Sequence, residues 1–70
     1  MNENQLKEIV ENIKEAADEL VQKGKDNLDR VETGQLLGYA EALTIIKDAI
    51  SGNDVAAVGL DFDIDEKYLY

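Results

Sequence analysis

From Gly34 to Ile50 the chain has apolar side chains at helical spacing, no proline, and no charged residue other than Glu41, Lys47 and Asp48. Leu36, Leu43 and Ile50 lie seven apart, and Tyr39, Ala40 and Ile46 fill the three- and four-residue steps between them. One helix face is therefore apolar along its whole length, which predicts a core helix. A second row runs beside it: Gly34, Gly38 and Ala42, spaced by four and continued by Ile45 and Ala49. Small residues in such a row let another helix approach closely.

A chain of 70 residues holds one small core, which rarely supplies more than about 3–5 kcal/mol without a further device. With no Cys and no His, disulfides, thiolate metal sites and imidazole ligands are all excluded. Oligomerisation is the device left. Sixteen acidic residues against seven basic give a net charge of −9, so direct contact with nucleic acid or an anionic membrane surface is not expected. The charges of Glu3, Lys7, Glu8, Glu11, Lys14 and Glu15 leave no room for an apolar signal-peptide core, and no later run reaches the ~20 residues of a membrane span. A cytoplasmic protein is expected.

Ahead of the core helix, Leu6, Ile9, Val10, Ile13, Ala16, Ala17, Leu20 and Val21 form one stripe, with Glu8, Glu11, Glu15, Asp18 and Glu19 mainly opposite. This is an amphipathic helix with Asn2 or Asn4 as N-cap. Gly24 follows the last strong apolar residue, where a left-handed C-terminal glycine belongs. Two breaks are compatible with the pattern. One turns at 24–26 and starts the second helix on Asp26; the other carries the first helix to Val31 and breaks at Thr33-Gly34. The first gives helices of matched length, roughly 4–23 and 27–51, as an antiparallel hairpin requires. In that register Gly34 faces Ala17, Gly38 faces Ile13, and Ala42 faces Ile9 or Val10. Gly34, Gly38 and Ala42 are then the close-packing row inside the hairpin. Leu36, Tyr39, Leu43, Ile46 and Ile50 are left as a dimer interface, and a second copy completes a four-helix bundle.

Residues 1–51 thus read as a helical hairpin and 52–70 as an acidic C-terminal strand or extended tail, in one domain. Leu60-Asp-Phe-Asp-Ile-Asp65 alternates apolar with acidic residues, the two-residue period of a half-buried strand. A lone strand needs a partner edge, so Phe62, Ile64, Tyr68 and Tyr70 are candidate partner contacts, made with the dimer mate or with another protein.

Chemistry-bearing patterns are sparse. Asp61-x-Asp63-x-Asp65 begins like an EF-hand loop, yet Glu66 stands where the sharp turn needs glycine and the loop's final glutamate lies past Tyr70. Gly34-x-x-x-Gly38 lacks the lysine and preceding strand of a phosphate loop. The carboxylate pairs Glu8/Glu11 and Glu15/Glu19 lie on a solvated face, where nothing moves a pKa towards neutrality. Ser51 has no histidine to activate it. No catalytic residue, cofactor or metal ligand is assigned.

As an overall plan, an acidic hairpin that dimerises resembles, in architecture, small plasmid- and phage-borne bundle proteins and some bacteriocin immunity proteins. The expectation is a non-enzymatic interaction protein or regulator, acting as a homodimer and engaging a basic protein. The rival is a bundle binding a small molecule or metal through core carboxylates. Against it, Glu41 is the only acid near the expected core positions.

Overall fold

A computed structural model describes residues 2–50 and 52–69, and among these the chain is mainly helical, with no strand. Helix α1 spans Glu3–Lys23. Asn2 caps it: its side chain accepts from the Gln5 N–H at 2.8 Å, and the Gln5 side chain accepts from the Asn2 N–H at 3.0 Å. Two of the N–H groups left open at a helix start are thereby paired. Gly24 ends α1 with φ +94°, a backbone conformation that costs glycine little. The break is therefore at Gly24.

The second helix starts later than the expected residue 27. Lys25–Asn27 form a short 3-10 turn, Leu28 is extended, and α2 runs Arg30–Ala49. Asp29, rather than the expected Asp26, is the cap. Its carboxylate accepts from the Glu32 N–H at 2.8 Å, and the Glu32 side chain accepts from the Asp29 N–H at 3.2 Å. Asp29 and Glu32 stand at the reciprocal spacing that Asp26 lacks, because the residue three after Asp26 is Asp29 rather than Glu or Gln. An ion pair between Lys23 and Glu32, at 2.6 Å, closes the turn.

The two long helices pack against each other. Val10 and Ala17 of α1 and Leu36, Ala40 and Leu43 of α2 are buried in one core with Val58, Leu60, Ile64 and Tyr68. Those last four residues come from the segment expected to be a strand or an arm. They belong instead to a strap containing two short helices, α3 (Asn53–Ala57) and α4 (Ile64–Tyr68), with α4 packed on α2.

Local hydrogen bonding explains why no strand forms. At the end of α3 the Leu60 N–H donates to the Val55 carbonyl at 2.9 Å and the Gly59 N–H to the Ala56 carbonyl at 3.0 Å. This is the Schellman closure, with Gly59 at φ +84° in the position that favours glycine. Beyond it, carbonyls that a sheet neighbour would have taken are taken by lysines. Lys14 of α1 donates to the Gly59 carbonyl at 3.0 Å, and Lys47 of α2 donates to the Phe62 carbonyl at 2.6 Å. Asp63 then caps α4 by accepting from the Glu66 N–H at 3.0 Å. The in–out alternation is nonetheless real. Leu60 and Ile64 are buried and Phe62 half-buried, while Asp61, Asp63 and Asp65 are exposed.

Candidate functional site

The strap occupies the face on which a second copy was expected. Leu36 and Leu43 are 4% and 0% exposed, and Tyr39, Ile46 and Ile50 are half-buried against the same core. The residues expected to meet another chain are thus core of this one, because Leu60, Ile64 and Tyr68 reach them first. The same finding corrects the tail. Ile64 and Tyr68 are interior, Phe62 is half-buried, and Tyr70 lies outside the described residues.

One polar cluster pins the strap to α1. The Tyr68 hydroxyl donates to the Asp18 carboxylate at 2.9 Å, and Lys67 pairs with the same carboxylate at 3.3 Å. The Phe62 ring meets Tyr68 edge-on at 6.1 Å, with the Lys14 and Lys67 ammonium groups each 5.2 Å from its centroid. Burial, then the hydrogen bond to Asp18 and its charge, holds the Tyr68 phenol well above its usual ionisation range. A phenol that stays protonated, giving its proton's hydrogen bond to a carboxylate, is neither base nor nucleophile at neutral pH. The cluster is a latch.

Gly34 and Gly38 also stand elsewhere than expected. Both are exposed, and a Cβ built on either would meet nothing within 4 Å. Gly34 and Gly38 therefore do not pack closely against α1, while Ala42 of the same row is half-buried. Leu36, Ala40 and Leu43 turn to the core instead. At 100° per residue, Val31, Gly34, Gly38, Ala42, Ile45 and Ala49 fall within an arc of about 80° on the opposite side of the helix. Of these, Val31 and Ile45 are each 69% exposed, and Leu37 beside them is 46% exposed. Leu69, at 38%, adjoins them across two shallow hollows. One is lined in part by Ile45, Glu41 and Leu69, the other in part by Leu37, Leu36 and Leu69.

The rest of the exterior is acidic. Every carboxylate except those of Asp18 and Glu32 is exposed, and Glu3, Glu8, Glu11, Glu15 and Glu19 run along α1. Among the basic residues, Lys14 and Lys47 reach inward to carbonyls and Lys23 and Lys67 are in ion pairs. Among the described residues no group of three or more Asp or Glu side chains could hold a metal ion, and the core contains no buried polar side chain. Among the described residues no helix is long and apolar enough to cross a membrane. No family model, curated protein or solved structure matches this chain. The surface is thus the evidence for function: a carboxylate-rich exterior with an apolar face on α2.

The exposed face of α2 has no signature that periodicity alone could isolate. Both faces of α2 carry apolar residues at helical spacing, and only the position of the strap separates core from surface. A signal for the strap was present in Asp63-x-x-Glu66, a cap spacing, and in Gly59 after the apolar run Val55–Val58.

Proposed function

We propose that this chain is a non-enzymatic, acidic protein–protein interaction module that acts as a homodimer and presents its carboxylate-rich surface to a basic partner protein. The observation that carries the reading is the outer face of α2, where Val31 and Ile45 are each 69% exposed although the chain has apolar positions enough to fill its core. Contiguous apolar surface on a small domain marks a place where another chain sits. The acidic exterior, with most of its lysines engaged internally, favours a lysine- or arginine-rich partner through complementary fields that act on association rate and specificity. The alternative of a small-molecule or metal-binding bundle is disfavoured by a core with no polar side chain to orient a ligand.

Two measurements test this. Equilibrium sedimentation at micromolar concentration should give a dimer, and a monomer at every concentration reached would overturn the homodimer. The full chain used as bait should retain a basic protein that is released by salt and is lost when Glu8, Glu11, Glu15 and Glu19 are all changed to Gln. Equal retention by that variant would remove the charge-based reading of the partner.

A further inference from the structure

We infer that two copies meet through the outer faces of α2, antiparallel, about a two-fold axis that passes beside Gly38. The inference rests on the homodimer reading above and specifies its surface.

The two glycines of α2 carry an unexplained cost. Gly34 and Gly38 lie inside a helix, where glycine is the poorest former after proline, and within the chain nothing approaches either one. Their small size has no use in the monomer. It has one if a second helix lies across them, because a missing Cβ lets two backbones come close and brings the flanking larger side chains into contact.

The face is also self-complementary. A two-fold interface requires that if one residue meets another, the second meets the first in return. About Gly38 the α2 sequence satisfies this. Val31 is opposite Ile45 of the second copy, Gly34 opposite Ala42, and Gly38 opposite Gly38. Large residues meet large ones at the ends, and small meet small at the centre. Leu37 and the adjoining Leu69, both partly exposed, extend the apolar contact along one rim.

Charge settles the direction. Arg30 and Asp48, both exposed, lie on the same flank at opposite ends of the face, so an antiparallel partner sets each Arg30 against an Asp48. In a parallel pair these two positions would stay about 27 Å apart along the axis, at 1.5 Å per residue. On α2 between them Glu41 is the one charged residue on or beside the face, and Asp65 of α4 lines the hollow shared by Ile45 and Leu69. Two copies of a chain with net charge −9 can approach here without setting rows of carboxylates against each other. A single helix face is at the low end of a specific interface, about 1,000 Å² in total, so micromolar association is expected.

The absence of native cysteine makes single-cysteine variants a clean test. Gly38→Cys sits at an open position and should leave the circular dichroism spectrum unchanged. Under mild oxidation it should convert to a disulfide-linked dimer at concentrations where the native chain sediments as a dimer. Val31→Cys alone and Ile45→Cys alone should link at least tenfold more slowly, whereas a mixture of the two should give the mixed dimer. Self-linking of Val31→Cys as fast as the mixture would overturn the antiparallel arrangement. Failure of Gly38→Cys to link, while the native chain remains dimeric, would overturn this face and leave the homodimer standing. A native chain that is monomeric up to several hundred micromolar would overturn both. As an independent arm, Arg30→Asp and Asp48→Arg should each weaken the dimer about three- to tenfold, and the double exchange should recover most of the loss. No recovery would remove that pair from the interface.

Discussion

Tyr68 shows how one side chain can be both core and latch. Its ring is 0% exposed while its hydroxyl reaches Asp18 across 50 positions of sequence. Tyr68→Phe keeps the ring and removes the hydrogen bond, so a loss of about 1 kcal/mol in urea unfolding at neutral pH is expected. The pH dependence follows from the raised phenol pKa. In the unfolded chain the phenol ionises near 10.0; in the folded chain it stays protonated to higher pH. The unfolded state therefore loses this proton first, and the contribution is full below about pH 10 and falls as pH rises beyond it. Native protein should lose stability more steeply above pH 10 than Tyr68→Phe. Parallel curves for the two would show that Tyr68 does not titrate differently on folding. Gly34 gives the complementary case. With open space around it, Gly34→Ala should stabilise the dilute, monomeric protein by about 0.5–1 kcal/mol through helix propensity, seen as a higher melting temperature. A drop would mean that the position is already covered within the chain.

At the level of elements, the strap is what turns a two-helix hairpin into a domain. Leu60, Ile64 and Tyr68 supply a third of the buried apolar residues among those described, and large-to-small losses at such sites cost about 2–5 kcal/mol each. Removing all three exceeds the ~3–5 kcal/mol that a core of this size supplies. Deleting residues 59–70 should therefore abolish the cooperative urea transition. A truncated chain with an undiminished transition would show that α1 and α2 are stable by themselves. A gentler probe is Asp63→Ala, which removes the α4 cap and should cost about 1 kcal/mol. The hairpin itself was legible before the strap was known. Gly24 after the last apolar residue of α1 and the two 3.6-period stripes are local signals, and local signals survive into the fold when hydrophobic packing agrees with them. The strand reading of 60–65 missed because alternation records which side chains are buried, not what pairs the backbone. Here a Schellman turn, an Asp cap and two lysines satisfy the backbone instead.

For the whole molecule, opposite salt dependences separate the two kinds of association. Each copy carries −9, so self-association through an apolar face works against net repulsion that salt screens. Raising ionic strength from about 0.02 to 0.5 M shortens the screening length several-fold, and the dimer should tighten, as sedimentation at the two salts would show. Binding to a basic partner should weaken over the same range. If the dimer loosened with salt as well, its stability would rest mainly on ion pairs, and the apolar face of α2 would not be the principal contact.

Composition and periodicity by themselves determined that this chain has two long helices, a strong acidic excess, and neither thiol nor imidazole chemistry. Those properties follow from residue identity and near-neighbour spacing, which no later contact can change. Tertiary structure decided which of the two apolar sides of α2 is core. Leu36, Ala40 and Leu43 differ little in hydrophobicity from Val31, Ala42 and Ile45, and the choice between them depends on where Leu60, Ile64 and Tyr68 come to rest. Lys14 and Lys47 hold the strap that carries these three across the two long helices. Burial of an apolar face is non-directional and nearly proportional to area, so two similar faces compete on almost equal terms. Polar contacts distant in sequence break the tie.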